Sequence, residues 1–321
     1  MTAPPVELPE GVRVGHHTDR ERWTGCTVIL PPEGSVASCE VRGGGPGTRE
    51  SDLLSPASTT PGVHGLLLTG GSAFGLSAAA GVVRWLAERG IGSPTPVAPV
   101  PLVPGAVVYD LYLGRPEPPE PDDAYAACDA AAPEFERGSV GGGTGCTVGK
   151  LLGPEGWTRG GVGAASVRLG DAVVAAIAVA NPFGEVVGPD GAVAAGVWRD
   201  GAYVRTSDLL AEGVAGPPPR ESTTLVAVLT DAALTKTQAW LVARAATGGV
   251  SRAVQPSATA VDGDVVYVMA TGRVPADAFA VSALAADVSA AAIRDAVEQA
   301  TDAPGCPAAV TRRAAARPPS G

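Results

Sequence analysis

Apolar positions along the chain fall into two patterns. Short, nearly unbroken runs occur in "HGLLLTGG" (64–71), "DAVVAAIAVA" (171–180), "STTLVAVLT" (222–230) and "DGDVVYVMATG" (262–272). Runs of this length, edged by Gly, Asp and Thr, predict buried strands. Elsewhere the apolar positions recur at helical spacing. In "SAFGLSAAAGVVRWLAERG" (72–90) they are Phe74, Leu76, Ala79, Val82, Val83 and Leu86, with Ser72 as N-cap and Gly90 as stop. Further helices are predicted over 122–133, over 235–249 between a Thr235 cap and Gly248, and over 275–300. "TGCTVILPPEGSVASCEVRGG" (24–44) reads as two strands around a Pro-Pro-Glu-Gly turn, and "VGAASVRLG" joins "DAVVAAIAVA" at Leu-Gly-Asp as a hairpin. Residues 213–221 read as an exposed linker, and 301–321 as a disordered tail. There is no regular βαβ rhythm, so the expectation is antiparallel or mixed sheets with helices on their outer faces.

Composition sharpens this picture. Hydrophobic residues make up 45% of the 321 positions but aromatics only 4%, so Ala, Val and Leu must build the core. Glycine, at 43 residues, implies tight turns and close backbone contacts. A net charge of −10 without a basic face argues against nucleic-acid binding. Cys26, Cys39, Cys128, Cys146 and Cys306 are scattered and odd in number, which suits neither a disulfide framework nor a zinc knuckle and fits a reducing cytosol. The start "MTAPPVELPEGVRVG" lacks a signal-peptide pattern, and the apolar run at 172–180 is too short to span a bilayer. The expectation is a soluble, cytoplasmic protein with no metal or organic cofactor and no membrane partner.

Three stretches carry candidate chemistry. "GGGTGCTVGK" (141–150) suggests a phosphate cradle, but a P-loop needs Gly at the position of Thr144 and a hydroxyl at that of Leu151. A dinucleotide fingerprint fails at Val148. What remains for such a loop is close backbone approach, and on its own Lys150 reads as a surface lysine. His16, His17 and His64 form no His-Glu-x-x-His, and no Gly-x-Ser-x-Gly is present. In "PPPRESTTLVAVLT" (217–230) two threonines open a strand after a proline-rich loop. They are ordinary strand formers, or else the product of self-cleavage, in which a freed α-amine with a pKa near ~8 activates the threonine hydroxyl. Asp262 and Asp264 flank Gly263, which by itself reads as a turn.

"LLLTGGSAFGLSAAAGVVRWLAERG", "GGGTGCTVGK", "ANPFGE", "STTLVAVLTDAALTKTQA" and "DGDVVYVMATG" occur in one order between about residues 11 and 300. Together they resemble the L-aminopeptidase/D-esterase family of N-terminal-nucleophile hydrolases, and within it the 6-aminohexanoate-oligomer hydrolases. The resemblance implies a mixed α+β fold, a four-layer αββα sandwich, formed by one self-processing domain. It implies a cut between Ser222 and Thr223, giving an α subunit of 1–222 and a β subunit of 223–321. Thr223 would be the nucleophile, Lys150 the active-site lysine and Asn181 the oxyanion donor. Asp262 and Asp264 would be the polar pair beside the nucleophile, and Tyr109 an active-site tyrosine. Substrates would be small peptides, amides or ω-amino-acid oligomers, and the assembly a homo-oligomer of αβ units. Ser222 stands where the oligomer-hydrolase branch usually has Asn, which implies slower or failed cleavage. An acyltransferase like the ornithine acetyltransferases, or an uncleaved binding scaffold, are the alternatives.

Overall fold

A computed structural model describes residues 5–214 and 222–316. In chain order the principal elements are β1 (Arg13–Asp19), β2 (Thr24–Leu30), β3 (Val36–Val41), β4 (Thr48–Arg49), β5 (Leu66–Thr69), α1 (Ala79–Ala87), β6 (Gly105–Val107) and α2 (Pro121–Asp129). There follow β7 (Gly161–Leu169), β8 (Ala172–Asn181), β9 (Thr223–Ala232), α3 (Lys236–Ala253), β10 (Val265–Val274) and α4 (Ala278–Glu298). One mixed sheet has the order β1-β2-β5-β6-β4 and the other β3-β10-β9-β8-β7.

The unbroken apolar strands are the interior of the second sheet. On β8, Val173, Ala175, Ile177 and Val179 enter a core shared with Ile29, Leu66 and Leu68 of the first sheet. The alternate positions Val174, Ala176, Ala178 and Ala180 pack with α3 and α4. Both faces are therefore buried, which removes the apolar/polar alternation. On the far side of the first sheet, Cys26, Val28 and Leu67 pack against α1 and α2. The layers run helix, sheet, sheet, helix, in agreement with the αββα expectation.

The small residues set how closely helices approach. A Cβ on Gly249 of α3 would sit 2.1 Å from the Ala286 carbonyl of α4. Gly249→Val therefore overpacks the α3–α4 contact and should cost about 1–3 kcal/mol, read as a melting temperature lowered by several degrees.

The hairpin at Leu-Gly-Asp forms with Leu169 opposite Ala172. The two strands of 24–44 form on either side of the Pro-Pro-Glu-Gly turn, but in different layers: β2 lies in the first sheet and β3 in the second. Three other expectations differ in detail. The 72–90 helix opens as a 3-10 segment, Ser72–Ala78, and Ser72, in left-handed backbone at φ 53°, does not cap it. Thr235 does cap α3, its Oγ1 accepting from Gln238 N–H, but the helix runs through Gly248 to Ala253. In the tail, Ala309–Ala315 is helical, with Arg313 bonded to Glu298 of α4, and 317–321 lies outside the described residues. Of the linker, 215–221 lies outside the described residues. Among the described residues, no helix is long and apolar enough to cross a membrane.

Candidate active site

Three strand ends meet at one edge of the second sheet. β8 and β9 are antiparallel, so Asn181, the last residue of one, stands opposite Thr223, the first of the other. β9 and β10 are parallel, and a bridge between Ser222 and Asp262 carries that pairing beyond the start of both strands. Topology thus brings together Asn181, Thr223, Asp262 and Asp264, which are far apart in the chain. None of them, nor Lys150, is more than 6% exposed.

Thr223 shares the face of Leu225 and Ala227, which look toward the first sheet; Thr224 and Asp264 look toward the helices. Thr223 Oγ1 donates to the carbonyl of Ser222 at 2.7 Å. Asp264 Oδ1 accepts from Thr224 N–H at 2.7 Å and Oδ2 from Ala258 N–H at 3.0 Å, so this carboxyl clamps the strand just after Thr223. Burial, reinforced by the charge of Asp262, pushes the Asp264 carboxyl up to about 7. Asp262 uses Oδ2 to accept from Thr259 N–H and Oγ1 at 3.0 and 2.6 Å. Its buried Oδ1 has no hydrogen-bond partner among the described residues.

Lys150 is a buried residue, not the surface lysine that its own context suggests. Thr147–Val148 pairs with Thr158–Arg159, and Lys150 N–H then donates to Phe183 O at 2.9 Å. Gly149 makes this possible. It has φ 76°, and a Cβ there would lie 2.2 Å from the Gly196–Val197 backbone. The "NPFGE" loop is thereby held against the glycine run, and Lys150 Nζ donates to Asn181 O at 3.0 Å. Burial lowers the lysine to about 7, although Cys146, Asp262 and Asp110 oppose that effect. A group poised there exchanges protons at neutral pH.

Asn181 Oδ1 accepts from Thr147 N–H at 2.9 Å, and Nδ2 donates to Tyr109 O at 3.0 Å. Tyr109 therefore reaches Asn181 through its carbonyl. Its ring packs on Tyr112 at 5.0 Å, and Tyr112 on Trp157 at 4.9 Å, an aromatic row whose indole N–H donates to Lys150 O. The next residue, Asp110, is a missed member of the assembly. It accepts from Thr24 Oγ1 and Gly71 N–H, both at 2.7 Å, and burial raises its carboxyl to about 6. A lone Asp beside a candidate tyrosine was its only signal in the sequence.

His16 has a supporting role that its position in the chain does not suggest. Gly142 N–H donates to Thr27 Oγ1 at 3.0 Å, Thr27 Oγ1 lies 2.9 Å from His16 Nδ1, and His16 Nε2 lies 3.1 Å from Glu136 O. A carbonyl can only accept, so the proton sits on Nε2 and the neutral ring completes the chain of bonds. Burial lowers its pKa to about 4. The unfolded chain then binds a proton that the folded chain refuses between about 6.5 and about 4, so stability falls as pH drops through that window. Melting should be lower at pH 4.5 than at pH 7, with a smaller difference in His16→Gln.

Among the described residues no group of three or more His, Cys, Asp or Glu is placed to hold a metal ion. The sequence signature of peptidase family S58 matches residues 9–310. An uncharacterized aminopeptidase of Mycobacterium tuberculosis is 39% identical over 294 residues, covering 82% of this chain and 80% of that protein. The 6-aminohexanoate-oligomer endohydrolase of Paenarthrobacter ureafaciens is 32% identical over 305 residues, covering 87% and 81%. The solved L-aminopeptidase D-Ala-esterase/amidase of Ochrobactrum anthropi, described as a variant of the N-terminal-nucleophile hydrolase fold, superposes with a TM-score of 0.71 at 21% identity, covering 97% and 94%. A Burkholderia β-aminopeptidase gives 0.70 at the same identity and coverage. At this identity the two structures speak for the fold.

Proposed function

Because the chain belongs to peptidase family S58 and is an amide-bond hydrolase, we propose that it cuts itself between Ser222 and Thr223 and then works through the freed threonine. The observation that carries this reading is the placement of Thr223. It is buried at the head of a central strand, its Oγ1 is 2.7 Å from the carbonyl oxygen of residue 222, Asn181 stands opposite it with Lys150 bonded to the Asn181 carbonyl, and Asp262 is bridged to the preceding Ser222.

In the first reaction Thr223 Oγ adds to the carbonyl carbon of Ser222 and gives up its proton. The C–N bond breaks, the nitrogen takes a proton, and an ester joins residue 222 to the threonine oxygen. Water hydrolyses the ester, leaving a carboxylate on Ser222 and an amine on Thr223. Before the cut that amine does not exist, so another base must accept the hydroxyl proton. Lys150, at about 7, is the group in the site suited to it.

In turnover the α-amine of Thr223 takes over as base, Oγ attacks the substrate carbonyl, and an amide N–H of Asn181 stabilises the oxyanion. The substrate C–N bond breaks, the leaving amine takes the proton from the α-ammonium, and water then hydrolyses the ester to release the acid. Asp262 holds the new ammonium or Lys150, and Asp264 keeps the strand in register. The proposed substrates are small peptides, amino-acid amides or ω-amino-acid oligomers, consistent with the aminopeptidase and oligomer-hydrolase relatives. The proposed working form is an oligomer of αβ units in the cytoplasm.

The test is denaturing electrophoresis with intact mass and N-terminal sequencing. Two chains are expected, the shorter beginning Thr-Thr-Leu-Val. Amide hydrolysis by a protein in which 222 and 223 remain joined would refute the proposal.

A further inference from the structure

Self-cleavage forms an oxyanion on the carbonyl oxygen of Ser222, so the donors at that atom matter before any substrate arrives. The oxygen accepts two hydrogen bonds, from Thr223 Oγ1 at 2.7 Å and from the main-chain N–H of Gly263 at 2.8 Å. The first is lost in the reaction, because that hydroxyl is the nucleophile. The second belongs to the bridge that extends the β9–β10 pairing through Ser222 and Asp262.

Gly263 is fitted to this position by its lack of a side chain. A Cβ there would lie 2.9 Å from Thr223 Oγ1, 2.7 Å from Gly45 O and 3.2 Å from Pro46 Cα. The opposing loop is pinned to the same residues, with Gly45 N–H donating to Asp262 O at 2.9 Å and Arg42 N–H to Asp264 O at 2.6 Å. The N–H is thus held from behind by backbone, and it does not reorganise when charge appears on the oxygen. Such a preorganised donor is what oxyanion stabilisation requires.

We propose that the Gly263 main-chain N–H is the oxyanion donor for self-cleavage, so that a hydrogen bond of sheet type doubles as catalytic machinery. This deepens the proposed function and rests on its cut before Thr223. As Oγ closes on the Ser222 carbon, the C=O electron pair moves onto the oxygen, and the Gly263 N–H shortens onto it. When the tetrahedral centre collapses, the pair returns, the C–N bond breaks and the ester forms.

A side-chain substitution cannot remove this donor, but replacing Gly263 with glycolic acid can, since it turns the amide N–H into an ester oxygen and adds no atoms. The same change at Tyr267, further along β10, serves as the control for a lost main-chain donor. Unmodified protein, the two esters and Thr223→Ala are made as whole chains, and conversion to two chains is followed by mass. The Gly263 ester should slow conversion by about 10²–10³-fold and the Tyr267 ester should not. Conversion of the Gly263 ester at the unmodified rate, or equal slowing by both esters, overturns the inference while leaving the Thr223 reading intact. If the unmodified chain itself never splits, both fall together; if Thr223→Ala splits, the nucleophile is wrong and the inference goes with it.

Discussion

Thr223→Ala remains one chain of 31.8 kDa and hydrolyses no amide. Alanine removes the oxygen proposed to attack residue 222 and, with it, the proposed route to a free amine, so both reactions are expected to stop at once. Loss of a nucleophile that works as part of a unit costs on the order of 10⁶ in turnover. The fold should survive, because the hydroxyl's hydrogen bond is to the adjacent Ser222 carbonyl and β9 stays paired on both sides. Thr223→Ser should still cut and still turn over, since it keeps the hydroxyl. Melting temperature, intact mass and amidase rate on the same three samples check this. A Thr223→Ala chain that splits, or that keeps its amidase activity, removes Thr223 from the role.

Lys150→Met has the next largest expected effect, and its signature is in the pH dependence. The neutral amine is the proposed base, so the rate of self-cleavage should climb as pH rises through about 7 and then level off. Methionine fills nearly the same space without a charge. Cleavage should slow by about 10²–10⁴-fold, and the dependence near neutrality should vanish. Stability should move the other way. A lysine lowered from 10.5 to about 7 by burial takes up its proton less readily when folded, so its contribution is lost as pH falls through that interval. Exchanging such a group for an apolar one is often neutral or stabilising. Slow cleavage in a variant that melts no lower than its parent marks a chemical role; unchanged cleavage kinetics across pH 6–9 would remove Lys150 from it.

Much of this was legible in the sequence because it is written in local pattern. The runs at 172–180 and 225–229 are strands buried on both faces, and nothing polar interrupts them. Thr235 caps α3 as its side chain and spacing to Gln238 require. The convergence of Asn181, Thr223 and Asp262 was reached only through resemblance. No local rule says that β8, β9 and β10 are neighbours, or that β9 and β10 run parallel. For the same reason β2 and β3 could be read on either side of their turn, but the separation of two sheets by that turn could not. Lys150 was ambiguous because its burial depends on backbone contacts from 183–197, far along the chain. Gly263 and Asp110 act through hydrogen bonds to Ser222, Gly71 and Thr24, all distant in the chain, and such pairings leave no trace in spacing.

Ser222 and Thr223 are almost wholly inside the molecule. A neighbouring molecule cannot insert its own nucleophile there, and an added protease has no purchase on that bond. The proposed ripening is then expected to be strictly first order: its half-life should stay constant when the sample is diluted a thousandfold, each copy keeping its own clock from the moment it folds.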